Sequence, residues 1–128
     1  MNQVLIDGPE NLDNVELMFE ILDRLLTPLG ECRLLTLGCR GFAQLVFEYA
    51  HQRNYLYSRA HIVAGDAGLY RALIEQQAVA QATHVVVFAH ELYDQHHDLI
   101  HTARDQRRAY QFFLVDRPNQ EDHHERDL

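Results

Sequence analysis

The chain has 128 residues, the length of one domain, and its 47% hydrophobic content, with six Phe and six Tyr, is enough to form a core. A formal net charge of −8 argues against a general nucleic-acid-binding surface. No apolar run approaches the roughly 18 residues of a membrane span, and acidic residues interrupt the start of the chain, so neither a membrane helix nor a secretory signal is predicted. We interpret the two cysteines, Cys32 and Cys39, as free thiols in a reducing compartment, and we therefore expect a cytoplasmic protein.

The first predicted elements are a short strand and a helix. The apolar run from Gln3 to Ile6 predicts a strand that ends in the turn Asp7-Gly8-Pro9-Glu10. Asp13 and Glu16 have the spacing of a capping box, which predicts that a helix starts there. Pro28 and Gly30 are expected to close this helix. The residues predicted to mark its apolar face are Leu12, Val15, Phe19, Leu22, Leu26 and Leu29.

The stretch from Arg33 to Val46 combines a buried strand, a turn with two glycines and an amphipathic helix. The strand ends at Leu37, and Gly38-Cys39-Arg40-Gly41 forms the turn. The apolar residues that recur at helical spacing after it are Phe42, Leu45, Val46, Tyr49 and Ala50. A helix that opens on glycines presents free N–H groups and a positive dipole end, which with Arg40 form a candidate site for a phosphate or carboxylate. The alternative is that the glycines only let strand and helix pack closely.

Three further strands and two weaker helices are predicted in the second half of the chain. The strands are Ala60 to Ala64, Thr83 to Ala89 and Tyr110 to Val115, and the second is apolar enough to be buried on both faces. The residues that indicate the first, weaker helix are Leu69, Leu73, Gln76 and Ala80. The second helix runs from Tyr93 to about Arg108, and its apolar stripe is Leu99, Ile100 and Ala103. Residues 117–128 begin with Arg117-Pro118 and are highly charged, which predicts a flexible tail after a domain at residues 1–116.

The alternation of strands and helices predicts an α/β protein, a three-layer α/β/α sandwich with a mostly parallel five-stranded sheet. In such sheets ligands bind at the carboxyl ends of the strands. The turns that would meet at this edge are Asp7 to Glu10, Gly38 to Gly41, Gly65 to Gly68, and His90 with Glu91. Their convergence predicts a binding site without identifying its ligand.

From about Gln3 to Val115 the chain resembles a Rossmann-like protein of the SLOG superfamily, named for the Smf/DprA and LOG proteins, and is most similar to its short bacterial and phage members. The resemblance rests on Gly8 after the first strand, on Leu37-Gly38-Cys39-Arg40-Gly41, and on Gly68-Leu69-Tyr70-Arg71. It implies a nucleotide or nucleotide-derived small molecule as ligand, and a homodimer, since relatives commonly dimerise. The residues expected to contact the ligand are Gly8, Pro9, Gly38, Cys39, Arg40, Gly41, Asp66, Arg71 and His90.

The chain departs from the LOG branch of this superfamily at the turn after Phe88. That branch cleaves the N-glycosidic bond of nucleoside monophosphates and holds phosphate in a Pro-Gly-Gly-x-Gly-Thr turn. Here the turn reads Ala89-His90-Glu91-Leu92-Tyr93. Without those glycines the backbone N–H cradle is lost, which argues against LOG-type hydrolysis.

Three further groups are candidates for chemistry. Glu91 is a candidate general acid or base for glycosidic cleavage, with Glu10 or Asp66 as its partner, although acidic loop residues are common in a chain this acidic. His97 and His101 have the i, i+4 spacing of two metal ligands, but no third ligand is fixed by the sequence, so neither a metal nor a cofactor is predicted. A thiolate is favoured at a helix N-terminus, where Cys39 is predicted, although a small residue that fills the turn is the alternative.

The leading hypothesis from the sequence is a nucleotide-binding sensor or sponge at the carboxyl edge of the sheet. The second is a phosphoribohydrolase with Glu91 as its acid or base. The third is a non-catalytic module that contacts a protein partner or a second copy of itself.

Overall fold

The structure is a computed structural model that describes residues 1–37, 40–61, 71–90 and 97–115, without the side chains of Arg40, Arg71, Ala72 and His97. Strands and helices alternate through the described residues. The strands are β1 (Asn2–Asp7), β2 (Cys32–Thr36), β3 (Leu56–Arg59), β4 (His84–Ala89) and β5 (Ala109–Leu114). The helices are α1 (Val15–Leu26), α2 (Arg40–Arg53), α3 (Arg71–Ala80) and α4 (His97–Asp105), and a 3-10 helix at Thr27–Leu29 extends α1.

The five strands form one sheet in the order β3-β2-β1-β4-β5, and every pair is parallel. From β1, the next two strands, β2 and β3, are added towards one edge of the sheet. The chain then returns to the other side of β1, where β4 and β5 are added towards the opposite edge. In the centre of the sheet, Val4 of β1 lies between Leu34 of β2 and His84 of β4. The prediction of an α/β fold with a five-stranded parallel sheet is confirmed.

Helices cover both faces of the sheet, and alternate residues of each central strand enter two separate cores. Val4 and Ile6 of β1 pack with α1 and α2. Leu5, between them, packs with α3 and α4 on the opposite face. Because crossover connections are right-handed, reversing the direction of strand addition after β3 moves the following helices to the other face. The result is a Rossmann-like three-layer arrangement.

Helix α1 begins one residue later than the capping-box spacing predicted. The side-chain Oδ1 of Asn14 accepts a hydrogen bond from the Leu17 N–H at 3.1 Å, so Asn14 is the N-cap and the prediction of Asp13 was wrong. The Asp13 carbonyl instead accepts from the Val15 N–H, which tightens the turn before the helix. At the other end, Gly30 has a φ of 76°, a conformation that favours glycine, and closes the helical segment as predicted.

The third strand lies before the segment that its apolar character indicated. Strand β3 is Leu56–Arg59, and the predicted strand at Ala60 to Ala64 was wrong for the residues that are described. The ladder with β2 ends where the Ala60 N–H donates to the Thr36 carbonyl. Because β3 is an edge strand and only half-buried, it lacks the apolar pattern that marks the central strands. The predicted turn at Gly65 to Gly68 lies outside the described residues.

Helix α3 buries a different face from the predicted one. Ala78 and Val79 are buried against the sheet, and Glu75 is buried beside them at 3% exposure. Leu73, predicted to face the core, is 42% exposed. These buried apolar side chains are small, and a pattern of large apolar residues does not reveal them. In contrast, β4 is buried on both faces and Leu99, Ile100 and Ala103 of α4 are buried, as predicted.

Candidate functional site

The strand order places a crevice at the carboxyl ends of β1 and β4, where the direction of strand addition reverses. In open α/β sheets ligands bind at this position. The last residue of β1, Asp7, is only 3% exposed and lies in register with Val87 of β4. The sequence indicates Asp7 only as part of a turn, because its burial depends on strands that are distant in sequence.

Gly8 follows Asp7 and packs against the first turn of α2. A β carbon at position 8 would come within 2.5 Å of the Phe42 ring, closer than such atoms approach. Phe42 is itself buried and contacts Phe88 of β4, with ring centroids 6.1 Å apart. The glycine therefore allows the turn after β1 to lie directly on α2. Pro9, beside it, is buried.

Gly41 makes a second close contact between the same two segments. A β carbon at position 41 would lie 2.8 Å from the backbone carbonyl oxygen of Glu10. A backbone atom cannot swing aside as a long side chain can, so this approach requires glycine. Both glycines have a packing function, whether or not a ligand also lies against them. The Glu10 residue itself is exposed.

His90 connects this corner to the end of β5. Its Nδ1 lies 3.3 Å from the Val115 carbonyl oxygen, and its Nε2 lies 3.3 Å from Oδ1 of Asn11, in the segment after β1. Since a carbonyl only accepts, Nδ1 carries the hydrogen that is donated to Val115. A neutral ring would then accept at Nε2 from the Asn11 amide group, whereas an imidazolium would donate to its oxygen. In both states His90 holds the turn after β1 next to β4 and β5.

A groove of about 270 Å³ lies between α2 and the edge strand β3. Its lining residues are Ala43, Gln44, Phe47, Tyr57 and Arg59. Phe47 is 46% exposed, and its ring is stacked on His51 and edge-on to Tyr57, with centroids 6.2 Å and 5.5 Å apart. The groove thus offers a partly exposed aromatic surface that is held in place by two neighbouring rings.

Arg59 is the cation of this groove, and it was not among the predicted site residues. It is the last residue of β3 and is exposed, and no described residue forms an ion pair or hydrogen bond with its guanidinium group. It was missed because the third strand was predicted at Ala60 to Ala64. Arg59 then preceded that strand, whereas in the structure it is the last residue of β3 at the carboxyl edge. A correct assignment of the strand would have identified it.

The remaining predicted site residues are only partly placed. Arg40 and Arg71 are the first residues of α2 and α3, and the structure describes their backbone alone. The predicted site residues that lie outside the described residues are Gly38, Cys39, Asp66 and Glu91. The structure therefore brings together Gly8, Pro9, Glu10, Gly41 and His90 at the β1–β4 corner.

A polar cluster lies elsewhere in the described residues, where α1 packs on the carboxyl-terminal half of α2. The Arg53 guanidinium donates to both carboxylate oxygens of Asp23, at 2.9 and 3.1 Å, and lies over the rings of Phe19 and Tyr49. These hydrogen bonds hold the pKa of Asp23 below its ordinary value. Tyr49 donates to Asp23 at 2.8 Å, and burial raises the pKa of its phenol, so the group stays a donor. This cluster joins two helices and is remote from the first turn of α2.

Two other features concern the chemistry of the molecule. An apolar cavity of about 210 Å³ lies between the end of α1 and the starts of β4 and β5, at the edge of the sheet opposite the crevice. No group of three or more His, Cys, Asp or Glu side chains that could hold a metal occurs among the described residues. None of the described helices is long and apolar enough to span a membrane.

Comparisons of the chain with protein-family models, with curated proteins and with solved structures find no match.

Proposed function

We propose that this protein binds a nucleotide or nucleotide-derived small molecule at the carboxyl edge of its sheet, as a sensor or sponge in the cytoplasm. One observation carries the proposal: the turn after β1, the start of α2 and His90 after β4 meet in one corner at the strand-order reversal. This is the position at which parallel α/β sheets bind ligands. Membership of the SLOG superfamily is part of the same proposal.

The charge distribution around this edge favours an anionic ligand. Helix α2 begins at Arg40 with backbone N–H groups and the positive end of its dipole directed towards this edge. Arg59, at the end of β3, adds an exposed cation without a described partner. In a chain of net charge −8, two arginines at the same edge supply a local attraction for phosphate.

The groove between α2 and β3 adds a surface for a planar group. Phe47 presents part of its ring next to Arg59, and a base stacked there would have a phosphate within reach of a guanidinium. A ligand with both a base and a phosphate uses both features, whereas inorganic phosphate uses only the second. This supports a nucleotide rather than a simple anion.

Calorimetry and thermal-shift assays with mononucleotides, NAD, ADP-ribose and cyclic dinucleotides test the proposal. A ligand at ~100 times its Kd should stabilise the protein by about 2.7 kcal/mol. We expect Arg40→Ala and Arg59→Ala to weaken binding about tenfold or more, as the loss of a charge-assisted hydrogen bond implies. Arg33→Ala is the control, since Arg33 is an exposed arginine near the opposite end of β2.

Two results would contradict the assignment. If no compound in the series shifts the melting temperature, the nucleotide proposal fails. If a compound binds but both arginine variants bind as tightly as Arg33→Ala, the ligand lies elsewhere. Chromatography of the same samples tests the phosphoribohydrolase alternative, because an enzyme releases free base and a binding protein returns the ligand intact.

A further inference from the structure

The apolar cavity of about 210 Å³ lies at the amino end of the sheet, away from the strand-order reversal. The end of α1 forms one wall of this cavity, through Leu25, Leu26 and Leu29. The sheet forms the opposite wall, where Val4 and Val86 line the cavity and are themselves buried. The cavity is therefore enclosed by a helix on one side and by strands on the other, and it is separate from the proposed nucleotide site.

The volume of the cavity is sufficient for a ligand with one ring. An apolar cavity of about 150 Å³ stays dry and binds benzene. The cavity beside α1 is larger, so it has room for a single ring with a small substituent. Leucine and valine side chains offer such a ligand dispersion contacts but no hydrogen bonds. The orientation of the ligand then depends on the polar groups in the wall.

His84, the first residue of β4, is one of these polar groups. It is in register with Val4, so its side chain is on the same face of the sheet as the end of α1. The Nδ1 atom of His84 lies 2.9 Å from Oγ1 of Thr83. The same hydroxyl accepts from the Gln3 N–H at 2.9 Å and donates to the Gln3 carbonyl at 3.0 Å.

These three contacts determine which ring nitrogen of His84 carries the hydrogen. A carbonyl oxygen only accepts, so the one hydrogen of the Thr83 hydroxyl goes to Gln3. Nδ1 of His84 must then donate to Thr83, which leaves Nε2 of the neutral ring as an acceptor. No described residue forms a hydrogen bond with this Nε2 atom. The side-chain amide of Gln111, also in the wall, has no hydrogen bond with a described residue either.

We propose that this cavity binds a small, uncharged molecule with one ring and one hydroxyl group, of which a phenol is the simplest case. The ligand hydroxyl donates to Nε2 of His84, and its oxygen accepts from the Gln111 amide. The apolar body of the ligand lies against Leu25, Leu26 and Leu29.

The acceptor at Nε2 selects the class of ligand. A hydrocarbon of the same shape would displace water from this nitrogen without replacing its hydrogen bond, which costs about tenfold in affinity. An ionised carboxylate has no hydrogen to donate to Nε2, and the net charge of −8 on the chain opposes an anion. The chemistry therefore differs from that of the nucleotide site, and either proposal can fail alone.

Calorimetric titration of the full chain with para-cresol, toluene and para-toluate tests the ligand class, because these probes share a methylated ring and differ in one substituent. We expect para-cresol to bind about tenfold more tightly than toluene, and para-toluate not to bind. His84→Phe should remove the preference for para-cresol over toluene. His61→Phe is the matched control, since His61 is an exposed histidine far from the cavity wall in sequence and outside its lining, and it should keep the preference.

Three results of the titrations would overturn the proposal. The first is that para-cresol does not bind, and the second is that it binds no more tightly than toluene. The third is that His84→Phe, shown by circular dichroism to be folded, keeps the preference of the wild type.

A cavity-filling variant tests the location independently of His84. In Leu29→Trp the larger side chain occupies the cavity, so binding of para-cresol should be lost. Leu73→Trp is the matched control, since Leu73 is 42% exposed on α3, across the sheet from the cavity, and it should bind as the wild type does. Circular dichroism again shows whether each variant has folded. A folded Leu29→Trp protein that binds para-cresol with unchanged affinity places the ligand elsewhere and overturns the proposal.

Nitrogen NMR of the histidine rings gives a direct readout of the hydrogen bond. In the free protein His84 should show a hydrogen on Nδ1 and an unprotonated Nε2. Addition of para-cresol should shift the Nε2 resonance towards that of a hydrogen-bonded nitrogen, whereas toluene should not. A neutral His84 ring that carries its hydrogen on Nε2 in the free protein would contradict the acceptor role and overturn the proposal.

Discussion

The ring of Phe42 lies so close to Gly8 that a single added β carbon would come within 2.5 Å of it. This contact fixes the turn after β1 on the first turn of α2, next to the proposed ligand site. We predict that Gly8→Ala destabilises the fold by about 1–3 kcal/mol, the usual cost of overpacking a core. Urea denaturation of the two proteins measures the difference.

A double-mutant cycle identifies the cause of that loss. In a Phe42→Leu background the Gly8→Ala substitution should cost less, since the ring that it meets has gone. Gly30→Ala is the control. Position 30 has open space around it but a φ of 76°, so its cost comes from the backbone and should be the same in both backgrounds. An equal cost of Gly8→Ala in both backgrounds would show that the ring is not the obstacle.

Tyr49→Phe should destabilise the protein by about 1 kcal/mol, because it removes the hydrogen bond to Asp23 and leaves the buried ring in place. The ring contacts with Phe19 and Tyr55, at centroid distances of 5.0 and 6.0 Å, remain in the variant. Tyr55→Phe serves as the control, since no hydrogen bond of its hydroxyl with a described residue is present. Thermal or urea unfolding compares the two variants, and equal losses would contradict the role given to the hydroxyl.

The stabilisation that Asp23 contributes to the folded protein should be lost as the pH falls into the acid range. Its pKa is lowered in the folded state by the hydrogen bonds from Arg53, whereas the unfolded chain has a pKa near 3.9. The stabilisation is therefore complete above about pH 5 and is lost as the pH falls through the folded pKa. Since the Asp23 side chain is 44% exposed, we expect less than about 1 kcal/mol.

The measurement for Asp23 is the free energy of unfolding of the wild type and Asp23→Asn at several pH values. The difference should shrink as the pH falls from about 5 towards 2. Glu20→Gln is a suitable control, because Glu20 and Arg24 form an exposed pair on α1 that should contribute little. A difference that is independent of pH would contradict the role of the Asp23 carboxylate.

Cys32 should be unreactive in the native protein. It is 3% exposed, its Sγ lies 3.5 Å from the Gly30 carbonyl, and burial raises the pKa of its thiol. Because the thiolate is the reactive form, alkylation at neutral pH should be slow until the protein unfolds. Mass spectrometry of peptides after a short iodoacetamide pulse measures this site directly. Denatured protein provides the fully labelled control, and rapid labelling of native protein would contradict the prediction.

Helix α2 shows how much of this fold can be predicted from the local sequence. Four of its buried residues, Phe42, Val46, Tyr49 and Ala50, occur at the helical spacing from which the helix was predicted. Strands β1, β2, β4 and β5 were also placed to within a residue or two, because burial on one or both faces leaves a period in the apolar residues. Strand β3 and the buried face of α3 were not predicted correctly. Strand β3 is a half-exposed edge strand, and α3 packs through small residues.

The sequence predicted where in the fold the candidate site lies, but not all of the residues that lie there. The turn that contains Gly8 and the segment before α2 were placed at the carboxyl edge, because parallel strands separated by helices end on the same side. Arg40 and Gly41, predicted to lie in the turn, are the first two residues of α2. Arg59 was missed, because its position depends on which segment pairs with β2. The packing function of the two glycines also depends on which atoms lie opposite them.

The sequence by itself determined the α/β class, the alternation of elements and the edge of the sheet at which the turns after the strands lie, since these follow from apolar period and chain direction. The tertiary structure decided the strand order, the partners of Gly8 and Gly41 and the link from His90 to Asn11. These are contacts between residues far apart in sequence. A local pattern records that a residue is buried, but which surface buries it is fixed only when the strands have paired.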